Sequence, residues 1–183
     1  RRSMAQLRVR WEGFAQAFER AKVAVELFNG GGTGSLDLSC QLPRLTEVTA
    51  GSGLFCPHLF DYYSYVHFEP ACFFALQAVR ASDEGMVTCQ GGGYVASGEA
   101  GPDRLPLPWF PPGSTLIAAE GAGEVQTPVQ LAPGQRVALG EPVVFRHAKA
   151  GELAERFDEV LLVAGGKLTG RAKTYRGLGK SFG

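Results

Sequence analysis

The stretch V-E-L-F-N-G-G-G-T-G-S-L-D, residues 25–37, decides how the chain is read. An apolar run of strand length stops at Asn29, and four of the next five residues are glycine. Glycine weakens strands and helices, so such a cluster marks a loop that bends sharply or admits something close to the backbone. No Gly-Lys-Ser/Thr follows, which excludes a Walker-type phosphate loop, and the G-x-G-x-x-G spacing of a dinucleotide fold is absent. A second loop sharpens the reading. T-A-G-S-G-L-F, residues 49–55, again sets glycines and a hydroxyl directly after a strand candidate, Thr46–Ala50. Backbone N–H groups exposed by glycine form anion-binding nests, and Ser or Thr hydroxyls add donors. Two consecutive βα loops converging on one phosphate is the arrangement after strands 7 and 8 of many (β/α)8 barrels.

Outward from these loops, the first half of the chain reads as α/β. Residues 3–21 place Leu7, Val9, Trp11, Phe14, Ala15 and Phe18 among charges at helical spacing, which predicts an amphipathic helix facing a core. Val23–Phe28 reads as a buried strand and Leu36–Leu42 as a short helical segment. From Phe68 the texture changes. Phe73–Arg80, Met86–Gln90, Thr115–Ala119, Arg136–Leu139, Pro142–His147 and Val160–Val163 are short strand-like runs separated by Gly- and Pro-rich turns, the pattern of a compact antiparallel β-domain. The boundary is expected within residues 57–67, dividing the chain into 1–66 and 67–183. The expected fold class is therefore α/β plus β: the last two βα units of a (β/α)8 barrel followed by an antiparallel β-domain.

Bulk properties exclude several classes. Across 183 residues, 45% are hydrophobic and 20% charged, which is ordinary for a folded protein and unlike a disordered one. Lys+Arg and Asp+Glu number 18 each, so no net charge draws the chain to nucleic acid or to an acidic membrane. No apolar run approaches the roughly 20 residues of a membrane-spanning helix, and the N-terminus lacks the apolar core of a secretory signal. Cys40, Cys56, Cys72 and Cys89 form no C-x-x-C pair and read as free thiols of a cytoplasmic protein.

Several motifs in fixed order carry a family resemblance. N-G-G-G-T-G-S (29–35), T-E-V-T-A-G-S-G-L-F (46–55), G-G-G-Y-V-A-S-G (91–98), E-G-A-G-E-V-Q (120–126), F-R-H-A-K-A-G-E-L-A-E-R-F (145–157) and T-Y-R-G-L-G-K (174–180) span nearly the whole chain. Together they resemble the C-terminal part of pyridoxal-phosphate enzymes of the alanine-racemase-like fold type. Within that fold type the chain is similar to the D-threonine aldolase and D-serine dehydratase group, and most of all to bacterial proteins described as amino acid deaminase/aldolase or D-serine deaminase-like.

The resemblance implies a barrel that holds pyridoxal 5'-phosphate, a C-terminal β-domain that helps close the site, and a homodimer. Val23–Phe28 and Thr46–Ala50 would be barrel strands 7 and 8. Gly32, Thr33, Gly34 and Ser35, with Gly51, Ser52 and Gly53, would cradle the cofactor phosphate. The Schiff-base lysine of this fold type lies near the first barrel strand, hence upstream of Arg1, and the fragment alone would be inactive. The implied function is a lyase or deaminase, aldolase or dehydratase, acting on a small D-amino acid that is β-hydroxylated. A racemase of the same fold and a non-catalytic pyridoxal-phosphate-binding protein are the alternatives. In the aldolase and dehydratase relatives an H-x-C or H-x-D pair binds a divalent metal near the substrate β-hydroxyl. The matching segment here is His147-Ala148-Lys149. Lysine is a poor ligand while protonated, which puts a metal site with His147 as ligand in doubt. Lys149 reads either as an ammonium that takes over part of the cation's role beside a catalytic His147, or as a surface residue at a strand end.

Other features have simpler readings. His58 and His67 read as surface or packing residues near the domain junction. Glu120 and Glu124 shape a turn, and Tyr62, Tyr63 and Tyr65 pack at an interface. Lys167, Arg171, Lys173, Arg176 and Lys180 form a solvated face rather than a nucleic-acid patch. Gly91–Gly93 serve close backbone approach.

Overall fold

The structure is a computed structural model and describes residues 2–65, 67–99 and 101–182. It divides into two compact units, Arg1–Leu54 and Phe55–Gly183, whereas the sequence places the junction within 57–67.

The first unit opens with helix α1, Arg2–Arg20. The periodicity that predicts this helix is correct, but of its apolar positions Ala15 is the buried one, while Val9 and Phe14 are 74% and 63% exposed. Trp11 anchors the helix to the remainder of the unit: its ring stacks on Phe28 at 3.8 Å between centroids, and its indole N–H donates to the Pro43 carbonyl at 3.0 Å. Two short parallel strands come next, β1 (Asn29–Gly30) and β2 (Glu47–Val48), paired Asn29 to Glu47 and Gly30 to Val48. Between them lie a 3-10 turn, Thr33–Ser35, and helix α2, Leu36–Ser39. The expectation of a buried strand over Val23–Phe28 is not met. That run is irregular, with a bend at Glu26 and with Val23, Val25 and Leu27 exposed, and the ladder begins only at Asn29. Strand length is set by pairing, and in this unit β2 is the partner β1 has. Thr46–Ala50 shrinks to Glu47–Val48 for the same reason.

The second unit is an antiparallel β-domain. Strands β3 (Phe73–Ala81), β4 (Met86–Gln90), β5 (Leu107–Phe110), β6 (Thr115–Leu116), β7 (Gln126–Gln130) and β8 (Pro142–Arg146) form one sheet in the order β5-β8-β3-β4-β7-β6. The terminal strands β5 and β6 are close in sequence and adjoin, so the sheet nearly closes on itself. Alternation along β3 sends Phe74, Leu76 and Ala78 inward, where they meet Val87 and Cys89 of β4, Val129 of β7, and Val143 and Phe145 of β8. Phe74 and Phe145 stack at 5.3 Å and 12°, with Tyr94 and Phe157 edge-on or tilted around them. Helix α3, Ala150–Arg156, seals this core with Leu153. A separate hairpin, β9 (Glu159–Ala164) and β10 (Lys167–Lys173), turns through Gly165 and Gly166, both at positive φ.

Arg136–Leu139 is not a strand. Its Val137 is buried in the core, but the Ala138 N–H donates to the Glu141 carboxylate at 2.8 Å and the segment passes into a turn at Gly140, φ +90. Thr115–Ala119 keeps ladder pairing only at its first two residues. Strands β5 and β7 were hidden by Pro108 and Pro128, residues that argue against a central strand. Pro128 is tolerated because its carbonyl accepts from Ile117 just beyond the end of β6, so its missing N–H falls on the side where the neighbouring strand has ended.

Candidate functional site

Both glycine loops leave the C-terminal ends of the paired parallel strands and turn into a 3-10 turn, Thr33–Ser35 in one and Ser52–Leu54 in the other. One hydrogen bond ties them together: the Gly53 N–H donates to the Thr33 hydroxyl at 3.1 Å, both residues being buried. Because Thr33 Oγ1 accepts this bond, its own hydroxyl proton remains to be donated elsewhere. The Ser35 hydroxyl lies 3.0 Å from that of Ser39, and the Ser35 N–H closes the turn on Gly32 at 3.0 Å. At the strand ends Asn29 bridges the loops from below, donating to the Thr49 hydroxyl at 2.6 Å and to the Glu47 carboxylate.

The two loops contain four hydroxyls, Thr33, Ser35, Thr49 and Ser52, of which Thr49 is engaged by Asn29, and no acidic side chain. A Cβ at Gly32 or at Gly51 would meet nothing within 4 Å, so the backbone there is open to approach. That donor set suits a phosphate. Gly31 belongs with these residues and was overlooked among its neighbours. Its φ of +96 is left-handed, and a Cβ would lie 2.9 Å from the Ser39 side chain.

A second cluster forms in the β-domain where β8 ends. His147 is 2% exposed, and its Nδ1 lies 3.1 Å from the Cys72 carbonyl. A carbonyl only accepts, so the neutral ring carries its proton on Nδ1 and presents a lone pair at Nε2, which is buried and has no partner. Burial pushes the imidazole down to about 4, with the Arg146 charge acting the same way against the opposing Cys72 bond. His58, expected as a surface or packing residue, is fully buried. Its Nε2 donates to the Leu105 carbonyl at 2.6 Å, its Nδ1 is likewise buried and unpartnered, and burial lowers its affinity for a proton. The His58 N–H donates to the His147 carbonyl at 3.0 Å.

Arg146, also nearly buried, forks onto Asp61 at 2.6 and 2.8 Å and donates to the Cys56 carbonyl at 3.1 and 3.3 Å. Sequence reading missed this pair because 85 residues separate the partners and neither lies in a recognisable spacing. Lys149 stands two residues beyond His147 at the head of α3, half-buried, its ammonium donating to the Ser97 carbonyl at 3.0 Å and hydroxyl at 2.7 Å.

Among the described residues no three His, Cys, Asp or Glu side chains gather in a way that could hold a metal ion. Glu120 lies in a turn closed on Ile117. Tyr63 packs edge-on against Phe60, while Tyr62 is 62% exposed. In the tail Arg171 pairs with Glu159 and Arg176 with Asp158, and the Tyr175 hydroxyl donates to the Gly151 carbonyl.

No protein-family model and no curated protein matches the chain. Among solved structures it is similar to D-threonine aldolase from Filomicrobium marinum, with 21% identity and a TM-score of 0.72 over 89% of this chain. The match spans 45% of that enzyme's length. The chain thus has the fold of a little under half of a D-threonine aldolase, with the antiparallel β-domain as its larger part.

Proposed function

We propose that the chain is the C-terminal part of a pyridoxal-phosphate-dependent lyase acting on a small β-hydroxylated D-amino acid, as an aldolase or a dehydratase. The observation that carries this is the pair of glycine loops on adjacent parallel strands, locked by the Gly53–Thr33 bond into one hydroxyl-lined cradle. The similarity in fold to a D-threonine aldolase supports it. In this reading β1 and β2 are barrel strands 7 and 8. Gly32, Thr33, Gly34, Ser35, Gly51, Ser52 and Gly53 hold the cofactor phosphate, and the lysine that anchors the cofactor lies outside this chain. The whole protein is a homodimer.

When bound, the cofactor supplies an electron-accepting ring that makes the bonds at the substrate Cα labile. The residues of this chain then have separate tasks. The Thr33 hydroxyl donates to the phosphate while accepting from Gly53. His147 would take a proton from a substrate hydroxyl through its unpartnered Nε2, against a basicity that burial lowers. Lys149, held by Ser97, supplies a fixed positive charge where related enzymes place a divalent metal.

The test is product analysis with the full-length protein carrying pyridoxal 5'-phosphate. Glycine and an aldehyde from D-threonine mark the aldolase, and ammonia with a keto acid from D-serine marks the dehydratase. A cofactor-loaded protein that releases neither would overturn the proposal, and conversion to the L-enantiomer would establish the racemase instead.

A further inference from the structure

An arginine is a natural binder of carboxylates, since its planar fork matches two oxygens. Arg146 is not available for that task. Its fork is already closed on the two Asp61 oxygens, its remaining donors reach the Cys56 carbonyl, and its guanidinium lies 5.8 Å from the Trp109 ring centre. These bonds join two segments far apart in sequence. One is the end of β8, which carries His147. The other is residues 56–61, which carry His58 and include a 3-10 turn, His58–Tyr62. Apart from the bonds of Arg146, the two segments are tied by the backbone bond from His58 to His147. Each ring is held from a third direction by a carbonyl, Leu105 for His58 and Cys72 for His147. Cys56, next to the fork, has a left-handed φ of +46, uncommon for a residue other than glycine. The backbone there holds a costly conformation with its carbonyl turned to Arg146.

We propose that Arg146 is a positioning residue: closed on Asp61 and the Cys56 carbonyl, it locks His58 and His147 into one rigid pair, each in a single tautomer with its second ring nitrogen unpartnered. The use of this pair in the reaction rests on the functional reading above, but the lock itself does not. A misplacement of about 1 Å in a reacting group, even from a change far from the chemistry, can cost about 100-fold in rate, because the group then samples unproductive orientations.

The experiment uses full-length protein with 15N-labelled histidine, at one fixed neutral pH, in wild type, Arg146→Lys and Asp61→Asn. Long-range imidazole spectra report which nitrogen carries the proton. Wild type is expected to show Nδ1–H at His147 and Nε2–H at His58, each as a single form. Arg146→Lys keeps the charge and loses the fork. Asp61→Asn removes the negative charge and one of the two acceptor oxygens from a side chain that is about half exposed, so the core stays intact and this variant decides the question should Arg146→Lys fail to fold. Both are expected to give mixed tautomers with an unchanged backbone spectrum for β3 and β8, and kcat at least tenfold lower with KM nearly unchanged. Single, unaltered tautomers in Asp61→Asn would overturn the lock. Mixed tautomers in a protein whose wild type has no lyase activity would leave the lock standing and reject the functional reading alone.

Discussion

Replacing Thr33 by valine tests the cradle at its joint. Valine keeps the shape and removes the hydroxyl, so the buried Gly53 N–H loses its acceptor at 3.1 Å. The phosphate also loses the Thr33 donor, and a hydrogen bond to a charged group is worth about 1.5–3 kcal/mol. Since each 1.4 kcal/mol is tenfold, cofactor affinity is expected to fall between about tenfold and about 150-fold. Thr33→Ser is the control. It keeps the oxygen and gives up one methyl group, so its affinity should stay close to wild type. The assay is titration of the cofactor-free full-length protein with pyridoxal 5'-phosphate, monitored by cofactor absorbance and by quenching of tryptophan fluorescence. Equal affinities for the valine and serine variants would refute the reasoning, because they would show that neither the tie to Gly53 nor the hydroxyl matters to the phosphate.

Three further outcomes are expected. Phe145→Ala removes a side chain that is 0% exposed and stacked on Phe74; it should cost about 3–5 kcal/mol in urea unfolding monitored by circular dichroism, and a loss under about 1 kcal/mol would contradict the assigned core. His147 is pushed down to about 4 in the folded protein from 6.5, so below pH 6.5 the unfolded chain takes up a proton that the folded one refuses. Its contribution is full above 6.5 and falls by about 3 kcal/mol by pH 4, with His58 acting in the same direction; denaturation midpoints at pH 7 and pH 4.5 should show a decline that is reduced in His147→Gln. Lys149→Met should leave stability within about 0.5 kcal/mol, because among the described residues the ammonium bonds the accessible Ser97 alone, yet abolish turnover; turnover that persists, or that requires stoichiometric metal removable by a chelator, would reject the ammonium role.

Legibility in the sequence tracked the range of the interaction. Strand β4 was read to the residue and β3 within one, because alternation along M-V-T-C-Q and F-F-A-L-Q-A-V-R is a local record of which face is buried. Helix α1 was equally local, but its burial was not, since spacing tells which residues share a face and not what covers that face. Val23–Phe28 failed because an apolar run becomes a strand only when a neighbour supplies its hydrogen bonds. Pro108 and Pro128 concealed β5 and β7, whose tolerance depends on where the adjacent strand stops. The glycine loops were legible because their chemistry and spacing are contiguous. The Arg146–Asp61 fork and the burial of His58 were not, because both depend on segments that lie far apart in the sequence.

In the function proposed above, this chain completes a cofactor site acting on D-amino acids. The most direct measurement is the absorbance of the bound cofactor in the full-length protein as D-serine, D-threonine and D-alanine are added in turn. A spectrum that shifts with each amino acid and returns to its starting form as D-threonine or D-serine is consumed, while D-alanine leaves it shifted, is the predicted result. A cofactor spectrum that ignores all three would contradict the account.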